Sequence, residues 1–508
     1  MRGTLLLSAA LCLTGCMVGP DYHRPAAVLS MHYKELAGWV PAQPADIDPK
    51  GAWWSMYNDP LLNRLESRVA ISNQNVATYA AQYAEAQAIV QETRAQLFPV
   101  LGATAGVTRT HVGAGTGGSG FSTVGAGTTT TTTGAGGTVT GGTVVSGASG
   151  GVTRTQYTLE GTASWDLDLW GKIRRQIQSD VAAAQVSAAD LQNATLSAQG
   201  TLATDYVELR YEDSLLDLLQ ATVRAYQNAL RITHNQVVAG ITAPGDEAEA
   251  ETQLASAQAS LVNVGVARGQ YEHAIAVLAG LPPAELSIPH APLGTAVPVP
   301  PAGLPSTLLQ RRPDIAASER MMDEENALIG VQVAAYYPDV TLSADGGWEG
   351  GPIGMLISAG NRIWSLGANA TETLFEGGAR NQAVRAARAA YDASVATYRQ
   401  TVLSALEQVE DELVALHVLQ EQAVAEDYAV KTAQRSVQIA LNEYQAGTVA
   451  YTTVITEQTA LFSDQQAALS VQEQRLAASV ALVQALGGGW NVSALPGREE
   501  LQKGLPFL

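Results

Sequence analysis

The chain has 508 residues, a net charge of -19, 46% hydrophobic but only 6% aromatic residues, and two cysteines. An acidic balance of this size excludes nucleic acid or an anionic membrane surface as the main partner. Both cysteines, Cys12 and Cys16, lie in the first 16 residues, which excludes a disulfide-stapled body, and no run of alternating helices and buried strands supports a doubly wound enzyme core.

Residues 1–16 read as a bacterial secretory leader: Arg2, an apolar run over 5–13, then Thr14-Gly15-Cys16. Leu13-Thr14-Gly15-Cys16 fits a lipobox, so cleavage is expected between Gly15 and Cys16, with acylation of Cys16. Acyl chains on one residue give membrane affinity through their buried methylenes. No cofactor is expected beyond this covalent lipid. The apolar run is too short for a mature membrane helix, and no other segment offers about 18 uninterrupted apolar residues.

Residues 16–57 are Pro-rich and read as irregular, with Trp39, Trp53 and Trp54. A helix is predicted from Asn58-Asp59-Pro60 to about Gln96, because Asn or Asp caps a helix and Pro suits its first turn; Phe98-Pro99 stops it. A strand follows, with Leu101, Ala103, Ala105 and Val107 on one face and Gly102, Thr104, Gly106 and Thr108 on the other. Residues 110–152 are almost purely Gly, Thr, Ser, Ala and Val, and read as a long loop without a core. A second strand alternates Tyr157, Leu159, Ala163 and Trp165 with Thr158, Glu160, Thr162, Ser164 and Asp166.

From Gly171 to Ala239 the period becomes helical, with Ala188, Thr195, Leu202, Leu209, Leu216, Val223, Leu230 and Val237 at seven-residue spacing. Such a row indicates helices packed side by side. The same row recurs 207 positions later, from Val395 to Tyr444, and Gly171 and Gly240 recur as Gly378 and Gly447. The chain is therefore read as a duplicated helix–strand–strand–helix unit. After the turn 240–246 a shorter helix is predicted to Ala279. The second unit then runs as a helix from Ser306 to Ala335, a strand at Val340, Leu342 and Ala344, a loop at 349–361, a strand around Trp364, Leu366, Ala368 and Ala370, the second long helix, and a last helix to Leu486.

The expected organisation is a leader at 1–15, a lipidated segment at 16–57, a first repeat at 58–280, a Pro-rich connector at 281–305, a second repeat at 306–487 and a loose tail at 488–508. Four strands of roughly ten residues with one apolar and one polar face suit a tilted wall across a bilayer. Four strands cannot close around water, and an open edge in lipid leaves backbone groups unpaired. Several chains must then share one barrel. Helices of about 100 Å suggest a tube standing out from the membrane.

Several motifs resemble those of TolC-like outer-membrane efflux proteins, in particular the NodT-type lipoprotein branch. They are Cys16 followed by Gly19-Pro20-Asp21-Tyr22 and Arg24-Pro25; Arg311-Arg312-Pro313-Asp314-Ile315 with Glu319 and Arg320; Leu374-Phe375-Glu376-Gly377-Gly378; and Tyr444-Gln445-Ala446-Gly447-Thr448. The resemblance spans about residues 16–490. It implies a mainly α homotrimer, in which a twelve-stranded outer-membrane β-barrel is continuous with a long periplasmic α-helical barrel ringed by an equatorial collar. The implied partners are outer-membrane lipid, a periplasmic adaptor and an inner-membrane pump, most often of the resistance-nodulation-division type. The chain itself is then a passive exit duct, and cargo selection lies with the pump.

The resemblance also makes the turns 240–246 and 447–453 the closed tip of the tube. Gly240, Asp246, Gly447, Tyr451 and Thr453 become gate candidates, with Thr453 standing where the family pattern usually has Asp. Glu247, Glu249 and Glu251 follow on the adjoining helix and read as a solvated face. Gly113 to Gly118 satisfies GxGxxG but has no helix after it, so it does not read as a dinucleotide loop. The seven His show no metal-ligand spacing, and no nucleophile elbow is present, so neither an enzyme nor a metal site is expected. Arg311-Arg312 reads as a local charge or capping contact where the connector meets the next helix. Competing readings are the exit duct of a type I protein-secretion system and, in another class, a lipid-anchored structural or adhesive protein.

Overall fold

The computed structural model describes residues 17–27, 33–34, 51–112, 152–298 and 308–503. Gly15, Cys16, Trp39, the GxGxxG stretch and the loop residues 113–151 lie outside them. The helices are α1 (Pro60–Ser72), α2 (Gln74–Ala95), α3 (Lys172–Val238), α4 (Pro244–Leu278), α5 (Leu308–Arg311), α6 (Pro313–Ala334), α7 (Ala379–Gln445), α8 (Tyr451–Ala485) and α9 (Arg498–Gln502). The strands are β1 (Val100–Val112), β2 (Val152–Leu167), β3 (Asp339–Gly350) and β4 (Arg362–Thr371).

The duplication is exact in the helices. The long helices α3 and α7 each have 67 residues and begin 207 positions apart, at Lys172 and Ala379. The shorter α4 and α8 each have 35, at the same offset. Ahead of the strands the offset is 239, from Gln74 of α2 to Pro313 of α6, each of 22 residues. The shorter link between β3 and β4 accounts for the change. In the heptad rows Leu202, Leu209, Val402 and Val409 are wholly buried. Each such side chain contributes about 1.5–3 kcal/mol on burial. α3 packs along α4 and α6, and α7 along α8 and α6.

Four expectations need correction. The first helix is not continuous: it breaks at Asn73, whose side chain accepts from the Asn75 and Val76 N–H groups and so caps α2 afresh. The helix expected over 306–335 breaks likewise at Arg312, ahead of Pro313. β1 and β2 run into the ends of the expected loop, to Val112 and from Val152, and β3 runs on to Gly350; cross-strand pairing outweighs the weak β-propensity of Gly and Ser. The stretch 487–503 is not loose. Leu501 is buried against Val90, Ile177 and Val181, Gln91 Nε2 donates to the Leu501 carbonyl, and Arg498 pairs with Asp323. In the opening segment, Trp53 and Trp54 form a helical turn and sit in the core beside Leu62 and Val69.

The two breaks are one joint built twice. Asn73 Nδ2 donates to the last-turn carbonyl of Leu278 (2.9 Å), and Arg312 Nη1 donates to that of Ala485 (3.1 Å). These donors differ by 239 positions and these acceptors by 207. Just beyond each acceptor a glycine ends the helix with positive φ: Gly280 (+70°) and Gly487 (+95°). A Cβ there would lie 2.2 Å from the Ser72 carbonyl and 2.1 Å from that of Arg311, respectively. Gly487→Ala is therefore expected to cost about 1–3 kcal/mol. Gly447→Ala, also at positive φ but with nothing within 4 Å of a Cβ, should cost less. Thermal melts followed by far-UV circular dichroism compare the two, and equal losses would refute the packing argument.

Candidate channel wall, anchor and tip

The four strands form one antiparallel sheet in the order β1-β2-β3-β4. Residues opposite one another in such a ladder share a face. The registers Leu101↔Ala163, Ala163↔Ala344 and Ala344↔Leu366 run across all four strands. That face gathers Leu101, Ala103, Ala105 and Val107 with Tyr157, Leu159, Trp165, Leu342, Trp348, Trp364 and Leu366. The other carries Thr104, Thr108, Thr158, Glu160, Thr162, Ser164, Thr341, Ser343, Asp345, Glu349, Ser365 and Asn369. On it Ser365 Oγ donates to Asp345 (2.9 Å) and Thr341 Oγ1 to Asp166 (2.7 Å). Among the described strand residues only Gly347 is buried; Leu101 is 78% and Leu366 76% exposed. An amphipathic sheet with both faces open and both edges unpaired is therefore what one copy presents.

Aromatic residues gather where strands meet helices: Phe98 before β1, Trp165 and Trp170 at the end of β2, Tyr336 and Tyr337 before β3, and Phe375 after β4. Trp170 stacks on Tyr337 with ring centroids 4.7 Å apart, and its Nε1 donates to the Pro338 carbonyl (2.9 Å). Such rings, apolar in body and polar at one end, suit a membrane–water boundary. Gly171 and Gly378 make the turns into α3 and α7 with φ of +81° and +89°.

The opening motif is docked at the same level. Val18 N–H donates to the Trp170 carbonyl (3.1 Å), and Met17 sits where a Cβ on Gly171 would fall. Arg175, only 3% exposed, donates to the carbonyls of Val18 and Gly19 and to Asp21. Asn326 Nδ2 donates to the Pro20 carbonyl, and Arg24 reaches Tyr398 (3.1 Å) and Glu319 (3.5 Å). The residue after Cys16 is thus held at the strand–helix junction. Arg312 does what the sequence suggested for it, clasping Asp314 through two nitrogens (3.0 and 2.6 Å) while bonding Gln408 and the end of α8.

Midway down, a polar network missed in the sequence fastens the connector. Asp213 is 0% exposed; it accepts from Arg268 Nε (2.7 Å), Arg210 Nη1 (2.9 Å) and the Ala291 N–H (3.1 Å). Arg210 and Arg268 also donate to the carbonyls of Pro289 and Ile288. The second repeat has Gln420 and Arg475 at the matching positions, still hydrogen-bonded to each other. The arginine retained at both positions, with Asp213 replaced by Gln420, was the available signal.

At the far end Gly240 (φ +69°) and Gly447 (φ +73°) terminate the long helices. Asp246 is half-buried and accepts from Thr242, while Thr453 donates its N–H to the Ala450 carbonyl within the turn. Tyr451 is 2% exposed: it packs with Tyr444 (centroids 5.2 Å apart), Ala229, Ala250 and Val454, joining both hairpin ends. Burial pushes its phenol up to about 12, with the Tyr444 ring adding to the shift. Glu249 and Glu251 are exposed, whereas Glu247 is engaged by His234 Nδ1 (2.7 Å). The matching positions in the second repeat are Leu441 and Val454, so a hydrogen-bonded pair in one hairpin is replaced by apolar packing in the other. Among the described residues no helix is long and apolar enough to cross a membrane.

The family described as outer membrane efflux protein matches residues 65–281 and 304–488. The probable efflux pump outer membrane protein TtgC of Pseudomonas putida is 26% identical over 487 residues, 96% of this chain and 95% of the relative. The solvent efflux pump outer membrane protein SrpC of Pseudomonas putida is 28% identical over 505 residues, covering 96% and 99%. Among solved structures, the outer-membrane channel OprN superposes with a TM-score of 0.81 at 27% identity, covering 94% of this chain and 100% of that one.

Proposed function

The chain belongs to the outer membrane efflux protein family, and we propose that it serves as the exit duct of a tripartite efflux pump of the resistance-nodulation-division type. It is an efflux outer-membrane channel. The observation that carries the finer reading is the open amphipathic sheet. Its apolar face fits lipid and its polar face a wet lumen. Lipid forbids its two free edges, so identical neighbours must supply the missing pairs. An eight-stranded closure would be filled by side chains, whereas three copies enclose water. The exposed apolar row Leu403, Val414, Val418, Tyr428 and Ile439 on α7 fits the contact between copies.

In this reading Cys16 carries lipid in the periplasmic leaflet, which suits the docking of Met17 beside the aromatic boundary. An adaptor and an inner-membrane pump engage the far end. Gly240, Asp246, Gly447 and Thr453 shape the tip there, with Tyr451 holding the two hairpins together from inside. The relatives' names, efflux pump and solvent efflux pump, support small apolar molecules as cargo, expelled with energy supplied by the pump.

Two measurements test the reading together. Purified protein in planar bilayers is expected to form discrete conducting channels, and a deletion strain to become sensitive to a panel of drugs and solvents. A single-copy particle without conductance, or a deletion strain with unchanged resistance, would overturn it.

A further inference from the structure

The duplicated registers specify how one copy joins the next. The hairpin register Val100↔Ser164 becomes Asp339↔Thr371 when β1 is advanced by 239 positions and β2 by 207, and that pair is found in β3–β4. The two hairpins are therefore superimposable residue by residue. Between them lies a second kind of seam, β2–β3, which joins the first repeat to the second, from Tyr157↔Gly350 to Leu167↔Val340. A ring of identical chains needs that seam once more per chain, between the second repeat of one copy and the first repeat of its neighbour.

We propose that β4 of one copy pairs antiparallel with β1 of the next in the register that these offsets dictate. Ala163↔Ala344 and Ser164↔Ser343 become Ala370 opposite Ala105, and Thr371 opposite Thr104, of the second copy. The ends of the seam are Trp364 opposite His111 and Leu374 opposite Leu101. Residues 372–374, which are not strand in the single chain, join β4 at this seam.

Three observations support this register over its neighbours. First, it keeps both faces in register: Ala368, Ala370 and Leu374 fall opposite Val107, Ala105 and Leu101 on the apolar side, whereas a one-residue slip would turn every side chain over. Second, it covers the most exposed apolar residues at the junction. Leu374 is 93% and Phe375 89% exposed, and they meet Leu101 (78%) and Val100 (71%). Third, Thr371 and Thr104 meet on the polar side, a favourable cross-strand pair.

The inference rests on the ring-shaped duct, and the test separates the two. Cysteine pairs are introduced on one chain as Ala370→Cys with Ala105→Cys, and separately as Thr371→Cys with Thr104→Cys. Adjacent antiparallel positions alternate between Cα separations of about 5.5 and 4.5 Å, both within disulfide reach, so the two variants cover both geometries. Offset controls combine Ala370→Cys with Ala103→Cys or Val107→Cys, where diagonal neighbours lie about 7–8 Å apart. After mild oxidation of the purified oligomer, denaturing non-reducing gels should show at least tenfold more covalent trimer from an in-register pair than from either control. Stronger cross-linking in a control, or an intact trimer in which neither in-register pair cross-links, overturns the register and leaves the duct standing. A single-copy particle overturns both.

Discussion

Asp213→Ala is expected to lower stability by about 3–5 kcal/mol, because it leaves two guanidinium groups without their shared anion in a buried site. Arg210 would keep the Pro289 carbonyl and the Tyr206 hydroxyl, and Arg268 the Ile288 carbonyl and the Glu272 carboxylate at 3.3 Å. The Ala291 N–H would lose its acceptor as well. The connector over 282–298 is held against α3 and α4 by these bonds together with the Leu293 N–H to Ser214 and the buried Ile288 and Leu293 side chains; loosening the Asp213 end should make it the first segment cut in limited proteolysis. Asp213→Asn keeps the shape but not the charge, and should fall between. The measurement is the thermal midpoint of the helical signal in detergent, alongside mass spectrometry of early proteolytic fragments. An alanine variant that melts with the parent and is cut elsewhere would show that the network is incidental. The second repeat provides a natural comparison. Gln420 faces Arg475 there without a second arginine, and a neutral acceptor suffices.

The second large effect concerns Glu66 on α1. It is 0% exposed, and among the described residues neither of its carboxyl oxygens has a hydrogen-bond partner. Burial pushes its pKa up to about 9, from 4.5 when free. The folded state then holds a proton that the unfolded chain releases above pH 4.5. Stability from this group is fully present below about pH 4.5 and declines as pH rises toward about 9, by about 1.4 kcal/mol per unit. At pH 7 the cost is roughly 3 kcal/mol. Glu66→Gln has no proton to lose, so it should melt higher than the parent at pH 8 and lose the difference near pH 5. Parallel melting curves for the two proteins across pH 5–9 would refute the argument. Glu66 lies on a buried stripe with Leu62, Val69 and Asn73, the apolar members of which pack in one cluster with Leu202, Tyr206 and Ile275. At the offset of 239, Val69 and Asn73 correspond to Leu308 and Arg312, both buried, whereas Glu66 corresponds to Pro305, so the acid is particular to the first repeat.

Local chemistry makes the long helices and the strand wall legible in the sequence. A seven-residue apolar period needs a parallel neighbour to cover it, and both long helices appeared with ends at Gly240 and Gly447 as that period requires. Alternation along four strands assigned their faces correctly, since side chains on a strand point alternately whatever the partner. The glycines at 171 and 378 marked the strand-to-helix turns because positive φ is costly for other residues. Arg311-Arg312 reads as a charge or capping contact where the connector meets the next helix, and Arg312 makes such a contact with Asp314 and the end of α8.

Contacts between distant segments were not legible. Asn73 reads as an ordinary helix residue until Leu278 offers it a carbonyl from 205 positions away. Asp213 looks like one more solvated acid on α3 until Arg268 and the connector close over it. Tyr451 read as a residue of the tip, yet packing turns it inward against Tyr444. Sequence by itself determined the repeat, the periods and the amphipathic faces, because these follow from neighbours three, four or two residues apart. The tertiary structure alone decided which polar groups are buried together, because that depends on which surfaces the folded chain brings into contact, and no local pattern encodes it.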